Sequence, residues 1–187
     1  PHMQGSLSAG VDEISWVLTS YRAANAVILP ATGWLGSVLG RKRFFLICTV
    51  AFTAASVLCG LAPDLNTLII ARILQGIGGG PLMPMSQAIM WEIFPFRQRG
   101  MAMAVWGMGI MIGPIVGPVL GGWLTEQASW RWVFYVNLPF GLLTLALMAL
   151  YMGMLARELP DDLARSAVFV ALVTANAALI LPSRSAK

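Results

Sequence analysis

The sequence predicts an all-α fold, a polytopic membrane helix bundle of about six transmembrane spans, and three observations predict it. Of its 187 residues, 58% are hydrophobic and only 11% are charged, where a soluble domain carries about one quarter. Long apolar runs recur along the chain, on the scale of the about 20 residues that cross a hydrocarbon core of about 30 Å. Lysines and arginines gather in short clusters between alternate runs, the pattern that holds such loops in the cytoplasm. The same clustering excludes nucleic acid as a partner: a net charge of +4 and a pI near 9.6 reflect loop bias rather than a phosphate-binding face. The lipid bilayer and a small-molecule or ion substrate are the partners that remain.

Residues 1–6, Pro1 to Ser6, read as a tag-like leader, because they lack the basic start and apolar core of a signal peptide. Residues 7–155 hold the main apolar segments, and residues 156–187 form a tail with a candidate sixth span. Cys48 and Cys59 share one apolar run, where packing accounts for them, and His2 lies in the leader. No metal site and no cofactor is therefore expected. An enzyme is not expected either, since no nucleophile-base pair, ligand cluster or phosphate loop is present.

The first span runs from Ile14 to about Leu39, entered past Asp12 and Glu13, with Trp16 and Tyr21 near the interface that such rings favour. Arg22 and Asn25 lie inside it, about one turn apart. An intramembrane arginine faces a cavity or a partner, or snorkels to the headgroups, and spacing leaves both readings open. A turn punctuated by Gly33, Gly36 and Gly40 and closed by Arg41, Lys42 and Arg43 marks a cytoplasmic gate loop. Phe44 to Leu61 returns to a short acidic outer turn, Ala62-Pro63-Asp64, and Leu65 to about Phe94 descends as one span. Within it Arg72 and Gln75 are three apart and share a face, beside a glycine-rich seam. Arg22, Asn25, Arg72 and Gln75 are the candidate lining of a substrate or ion path, with structural hydrogen bonding to carbonyls as the alternative for Arg72.

A second cationic loop, Phe94 to Gly100, contains Arg97 and Arg99, for which Glu92 is the expected partner. Glu92 is also the candidate titratable group. Met101 to Leu124 then rises to an aromatic belt of Trp123, Trp130 and Trp132, where Arg131 is a cation on the outer side. Val133 to about Leu155 descends past Asn137 and Pro139. Beyond a mixed-charge loop, Ala167 to Leu181 is short for a span and crosses only with thinning or tilt.

The stretch from Gly107 to Gly122 sets small or kinking residues into an apolar helix. Glycine costs about 1 kcal/mol and proline about 3 in a soluble helix, but in a bilayer the backbone must pair internally and helix persists. Gly109, Gly113, Gly117 and Gly121 fall on one face as a groove for close helix approach, while Pro114 and Pro118 bend the rod. These six positions read as a conformational joint; small-residue seams also line static bundles, and spacing does not choose between the two.

Three of these motifs resemble signatures of the major facilitator superfamily. Gly33-x-Leu35-Gly36-Ser37-Val38-Leu39-Gly40-Arg41-Lys42-Arg43 resembles its cytoplasmic loop signature between the second and third helices. Arg72-x-x-Gln75-Gly76-x-Gly78 is similar to its fourth-helix signature, and the glycine-proline stretch to the fifth-helix signature of its drug:proton antiporters. With Ile14-Ser15-Trp16-Val17 and Ser129 to Pro139, they resemble the 14-span multidrug efflux branch over about Asp12 to Leu155. The family carries an acidic residue where this chain has Ser37 and usually a basic one where it has Val38. The resemblance also begins at the family's second helix; its first helix carries a membrane-embedded acidic residue associated with proton coupling.

The resemblance implies a partial, half-size transporter in a bacterial-type plasma (inner) membrane, exporting amphipathic or cationic small molecules by alternating access. Such folds pair two six-helix bundles about a midplane site, so a homo-oligomer is expected, a dimer first. An ion channel or exchanger built from a half-size oligomer, or a non-transporting fragment, are the alternatives. Topology is testable at once. Single cysteines at Ser37 and Gln98, in a background lacking Cys48 and Cys59, react with an impermeant reagent only from the cytoplasmic side; labelling of both from outside intact cells reverses the orientation.

Overall fold

The structure, a computed structural model, describes residues 10–156 and 161–184, so the leader and part of the mixed-charge loop lie outside the described residues. The elements are α1 (Val11–Leu39), α2 (Arg41–Leu61), α3 (Leu65–Gly79), α4 (Leu82–Ile93), α5 (Phe96–Gln127), α6 (Trp132–Tyr135), α7 (Asn137–Ala156) and α8 (Asp161–Arg184). The described residues contain no strand, as an all-α bundle requires. Four segments among them are long and apolar enough to cross a membrane: Arg41–Leu61, Leu65–Ile93, Phe96–Gln127 and Trp132–Met154. Of the about six spans expected, α1 and α8 are the two outside that set; they are helices of 29 and 24 residues.

Connections are tighter than the sequence pattern implies. The glycine-punctuated cytoplasmic turn shrinks to Gly40, whose φ of +81° is left-handed and favours glycine. Arg41, Lys42 and Arg43 therefore form the first turn of α2 rather than a loop. The outer turn is set by Asp64, the N-cap of α3, whose carboxylate accepts from the Thr67 amide at 2.8 Å and the Thr67 hydroxyl at 3.0 Å. The Thr67 amide, ahead of its hydroxyl, holds the Asp64 carboxyl below its ordinary range, so this cap persists above the ordinary carboxylate pKa and is lost only as pH falls through the lowered one. Arg131, the cation on the outer side, donates to the Ala62 carbonyl at 3.0 Å at the end of α2 and lies over the Trp130 ring.

Two expected spans are interrupted. The third breaks at Gly80-Pro81, where proline lacks the N–H that continues a helix. The fifth breaks at Val136, so that Pro139 falls in the first turn of α7, where proline is tolerated. The glycine-proline stretch, by contrast, lies within one uninterrupted helix from Phe96 to Gln127.

Helix α3 packs along α1 and α2, α8 packs along α5 and α7, and α2 meets α7 between them. Glycines decide how closely α3 sits. A Cβ at Gly76 would lie 2.6 Å from the Tyr21 carbonyl oxygen, and one at Gly78 would lie 2.7 Å from the Phe52 nitrogen. Both obstacles are backbone, so neither can yield. Gly76→Ala is accordingly expected to force α1 from α3 and lower the midpoint of thermal unfolding in detergent, overpacking of this kind costing about 1–3 kcal/mol. Gly33, with nothing within 4 Å of such a Cβ, serves as the control, and Gly33→Ala leaves the midpoint unchanged.

Candidate functional site

Where α3 meets α2 and α7, polar side chains converge on a fully buried point. The three-residue spacing of Arg72 and Gln75 puts them on one face of α3, and an Arg72 guanidinium N–H donates to Gln75 Oε1 at 3.0 Å. Gln75 in turn donates from Nε2 to Ser56 Oγ on α2 at 2.7 Å, and Asn137 on α7 donates to the same hydroxyl at 3.3 Å. Ser56 passes its own hydrogen to the Phe52 carbonyl at 2.8 Å. The Cys59 thiol stands 3.8 Å from Gln75 Oε1. Arg72 is 1% exposed, and Gln75, Ser56 and Asn137 are wholly buried.

Among the described residues, no carboxylate balances the charge at this point. Glu13, Asp64, Glu92 and Glu126 are exposed at helix ends, and the ion pair found among the described residues joins Arg41 to Glu92. Aromatic faces take part of the role: the guanidinium carbon lies 4.8 Å from the Phe134 ring centroid and 5.4 Å from that of Tyr21, contacts that strengthen when desolvated. Arg72 Nε and Asn137 Oδ1 remain without hydrogen-bond partners. The cluster is thus a net positive centre lined by neutral donors and acceptors, suited to shaping a field or holding an anionic or polar group. It cannot release a proton at neutral pH, because arginine stays charged.

The other expected path residues do not join it. Arg22 is exposed on α1, and Asn25 is half-buried, its Oδ1 unpartnered beside the break at Gly80. Sequence reading found Arg72 and Gln75 but not Ser56, one of several hydroxyls in an apolar run. Thr49 and Thr53 in the same run only bond back to carbonyls on their own helix. Asn137, a carboxamide inside an apolar span, did carry a signal.

At the opposite end, residues 37–43 and Glu92 line an open cleft of about 520 Å³. Glu92 pairs with Arg41 across it, correcting the expected pairing with the Arg97–Arg99 loop. Arg99 instead donates to the Phe94 carbonyl at 3.0 Å and covers the Trp91 ring. Lys42 reaches the Tyr151 hydroxyl at 2.7 Å. Ser37 turns back to the Trp34 carbonyl at 2.7 Å, and Gly33 is in open space.

The model for the Major Facilitator Superfamily matches residues 1–183. The chain belongs to that superfamily. The match runs through α8, further than the motifs quoted above. The chain is 44% identical over 142 residues to the multidrug export protein EmrB of Haemophilus influenzae, a match covering 76% of this chain and 28% of that protein. It is 40% identical over 144 residues to the fatty acid resistance protein FarB of Neisseria gonorrhoeae, covering 77% and 28%. It is 41% identical over 141 residues to EmrB of Escherichia coli K12, covering 75% and 28%. The match therefore spans little more than a quarter of each relative's length.

In this superfamily chain the seam on α5 faces inward. Gly113, Gly117 and Gly121 are buried while Pro118 is exposed, and a Cβ at Gly109 would lie 3.2 Å from Val173 on α8. The polar cluster makes a graded prediction. Ser56→Ala removes one acceptor and costs about 1–3 kcal/mol. Gln75→Leu strips the one carboxamide that Arg72 binds and costs about 3–5 kcal/mol, the range for a buried charge that loses its partner. Thermal unfolding of the detergent-solubilised chain is expected to fall in that order.

Proposed function

We propose that this chain acts as a membrane transporter of the multidrug efflux, drug:proton antiporter type, moving amphipathic or cationic small molecules outward by alternating access as an oligomer, a dimer first. The observation that carries the reading is the charged Arg72, 1% exposed and paired with no carboxylate among the described residues, inside a bundle of apolar helices. A charge kept inside a membrane protein marks a transport path more often than a packing contact. The names of the relatives support export of amphipathic compounds. In this reading Arg72 and Gln75 are the polar element of the path, Arg22 and Asn25 belong to a face completed by further protein, and the seam from Gly109 to Gly121, with Pro114 and Pro118, is the joint. The cytoplasmic mouth closes through Arg41 and Glu92, with Gly33, Gly40, Lys42 and Arg43 around it. A midplane site lies between two bundles in such folds, so a second bundle is required, and in this reading a second copy of the chain supplies it.

Proton coupling through this segment is a separate matter. Glu92 lies 20 residues from Arg72 in sequence, about 30 Å along a helical span at 1.5 Å per residue, so it is a gate residue rather than a midplane proton carrier. The chain in proteoliposomes, with an imposed pH gradient and a fluorescent amphipathic carboxylate, whose oxygens can accept from Arg72, tests the whole reading. Saturable flux is expected. Arg72→Gln reduces it about ten-fold or more, the loss matching one charged hydrogen bond of about 1.5–3 kcal/mol, and Glu92→Gln leaves proton movement no stronger than before. Non-saturating flux points to a channel, absence of any flux to a fragment that only binds a partner, and unchanged transport in Arg72→Gln removes the cluster from the path.

A further inference from the structure

The Arg72 guanidinium lies between two rings, and the two are not equivalent. Phe134 is the nearer, its centroid 4.8 Å from the guanidinium carbon, and it is wholly buried; Tyr21 is 5.4 Å away and keeps 8% of its surface exposed. Gln75, Ser56, Cys59 and Asn137, which close the cluster elsewhere, are wholly buried too. Among the described residues around the charge, Tyr21 is therefore the one that meets the surface. It does so on an open face, since Thr19, Arg22, Ala23 and Ala26 of the same stretch of α1 are exposed. The ring is freer to move than the helix. A Cβ at Gly76 would fall 2.6 Å from the Tyr21 carbonyl oxygen and 2.8 Å from Ala24 Cβ, so α1 and α3 touch backbone to backbone at this level, and shifting α1 would undo that packing. Rotation of one side chain displaces no backbone and is fast at a surface. Arg72 Nε meanwhile has no hydrogen-bond partner. An oxyanion could accept that hydrogen, and charge-assisted bonds of this kind are roughly twice as strong as neutral ones, whereas the aromatic contact displaced at Tyr21 is the longer of the two.

We propose that Tyr21 is a positioning residue for the Arg72 site: its ring covers the guanidinium while the site is empty and swings aside to let a carboxylate or comparable oxyanion reach Nε from the open face of α1. The proposal rests on the reading of Arg72 as part of a transport path, and adds the side from which the ligand comes and the side chain it displaces. That side is the face carrying Arg22, where a second bundle would complete the cavity.

Arginine labelling tests this on the full chain in native membranes, without reference to transport. Phenylglyoxal, a small apolar reagent for guanidinium groups, is applied, and the modification of Arg72 and of Arg22 is read separately by mass spectrometry. Arg22, which is exposed, serves as the internal standard. Cys48, buried in another part of the core, reports folding by staying unreactive to N-ethylmaleimide. In the unaltered chain Arg72 is expected to react at least about ten-fold more slowly than Arg22, and Tyr21→Ala to speed it at least about five-fold, while Tyr21→Phe, which keeps the ring, leaves it slow. Phe134→Leu removes the ring on the closed side and leaves Arg72 slow as well. Benzoate, the anion used as probe, is expected to slow labelling of Arg72 in Tyr21→Ala. If Tyr21→Ala makes Cys48 reactive, Tyr21→Leu takes its place, keeping apolar bulk without the ring, with a rise of at least about two-fold expected. Arg72 that labels as fast as Arg22 in the unaltered chain, no rise in a folded Tyr21 variant, or an equal rise in Phe134→Leu overturns the role of Tyr21; absence of protection by benzoate overturns the exchange for an anion. Flux in proteoliposomes bears on the transport reading alone and leaves each of these outcomes as it stands.

Discussion

A guanidinium held out of water, with no carboxylate among the described residues beside it, is the constraint on which the rest of this bundle depends. Moving such a charge from water costs several kcal/mol even after relaxation, so everything within reach of Arg72 is arranged to offset that cost. Gln75 supplies the acceptor, Ser56 orients Gln75, and Asn137 ties the same hydroxyl to α7. Rings from Tyr21 and Phe134 lie over the cation from two further elements. One side chain thereby dictates the mutual placement of α1, α2, α3, α6 and α7. That placement is possible only because Gly76 and Gly78 let backbone approach backbone on either side of α3.

The end of the bundle that carries Arg41 and Glu92 obeys a different balance. Three cations occupy the first turn of α2, the helix end that disfavours positive charge. A basic first turn opposes the helix dipole by about 0.3–1 kcal/mol per charge, whereas carrying the same cations across hydrocarbon costs several times as much, so membrane topology prevails. Glu92 and Tyr151 then provide the contacts that the helix end does not. Because the Arg41–Glu92 pair is about half exposed on both sides, it adds little to stability.

Much of this molecule was legible in its sequence, and the limit of legibility has a physical cause. Length and polarity of the apolar runs determined that the chain is helical and membrane-bound, since hydrocarbon permits few other ways to satisfy a backbone. Cation clusters determined which turns share a side, and the three-residue spacing of Arg72 and Gln75 put them on one face of α3. These are local or one-dimensional properties. Which hydroxyl in α2 would serve Gln75 was not local: Thr49, Thr53 and Ser56 read alike until the crossing of α2 and α3 selects Ser56. The crossing also turned Arg22 outward and Arg72 inward, though both are arginines within apolar helices, and it gave Glu92 to Arg41 rather than to the nearer Arg97. Close approach fell to the glycines of α3 as much as to the more conspicuous glycine-proline seam of α5, because what matters is which backbone stands opposite. The sequence by itself determined that the chain is a bundle of apolar membrane helices; partners across helices were decided by tertiary structure, since a hydrogen bond between helices depends on distances that no periodicity within one helix contains.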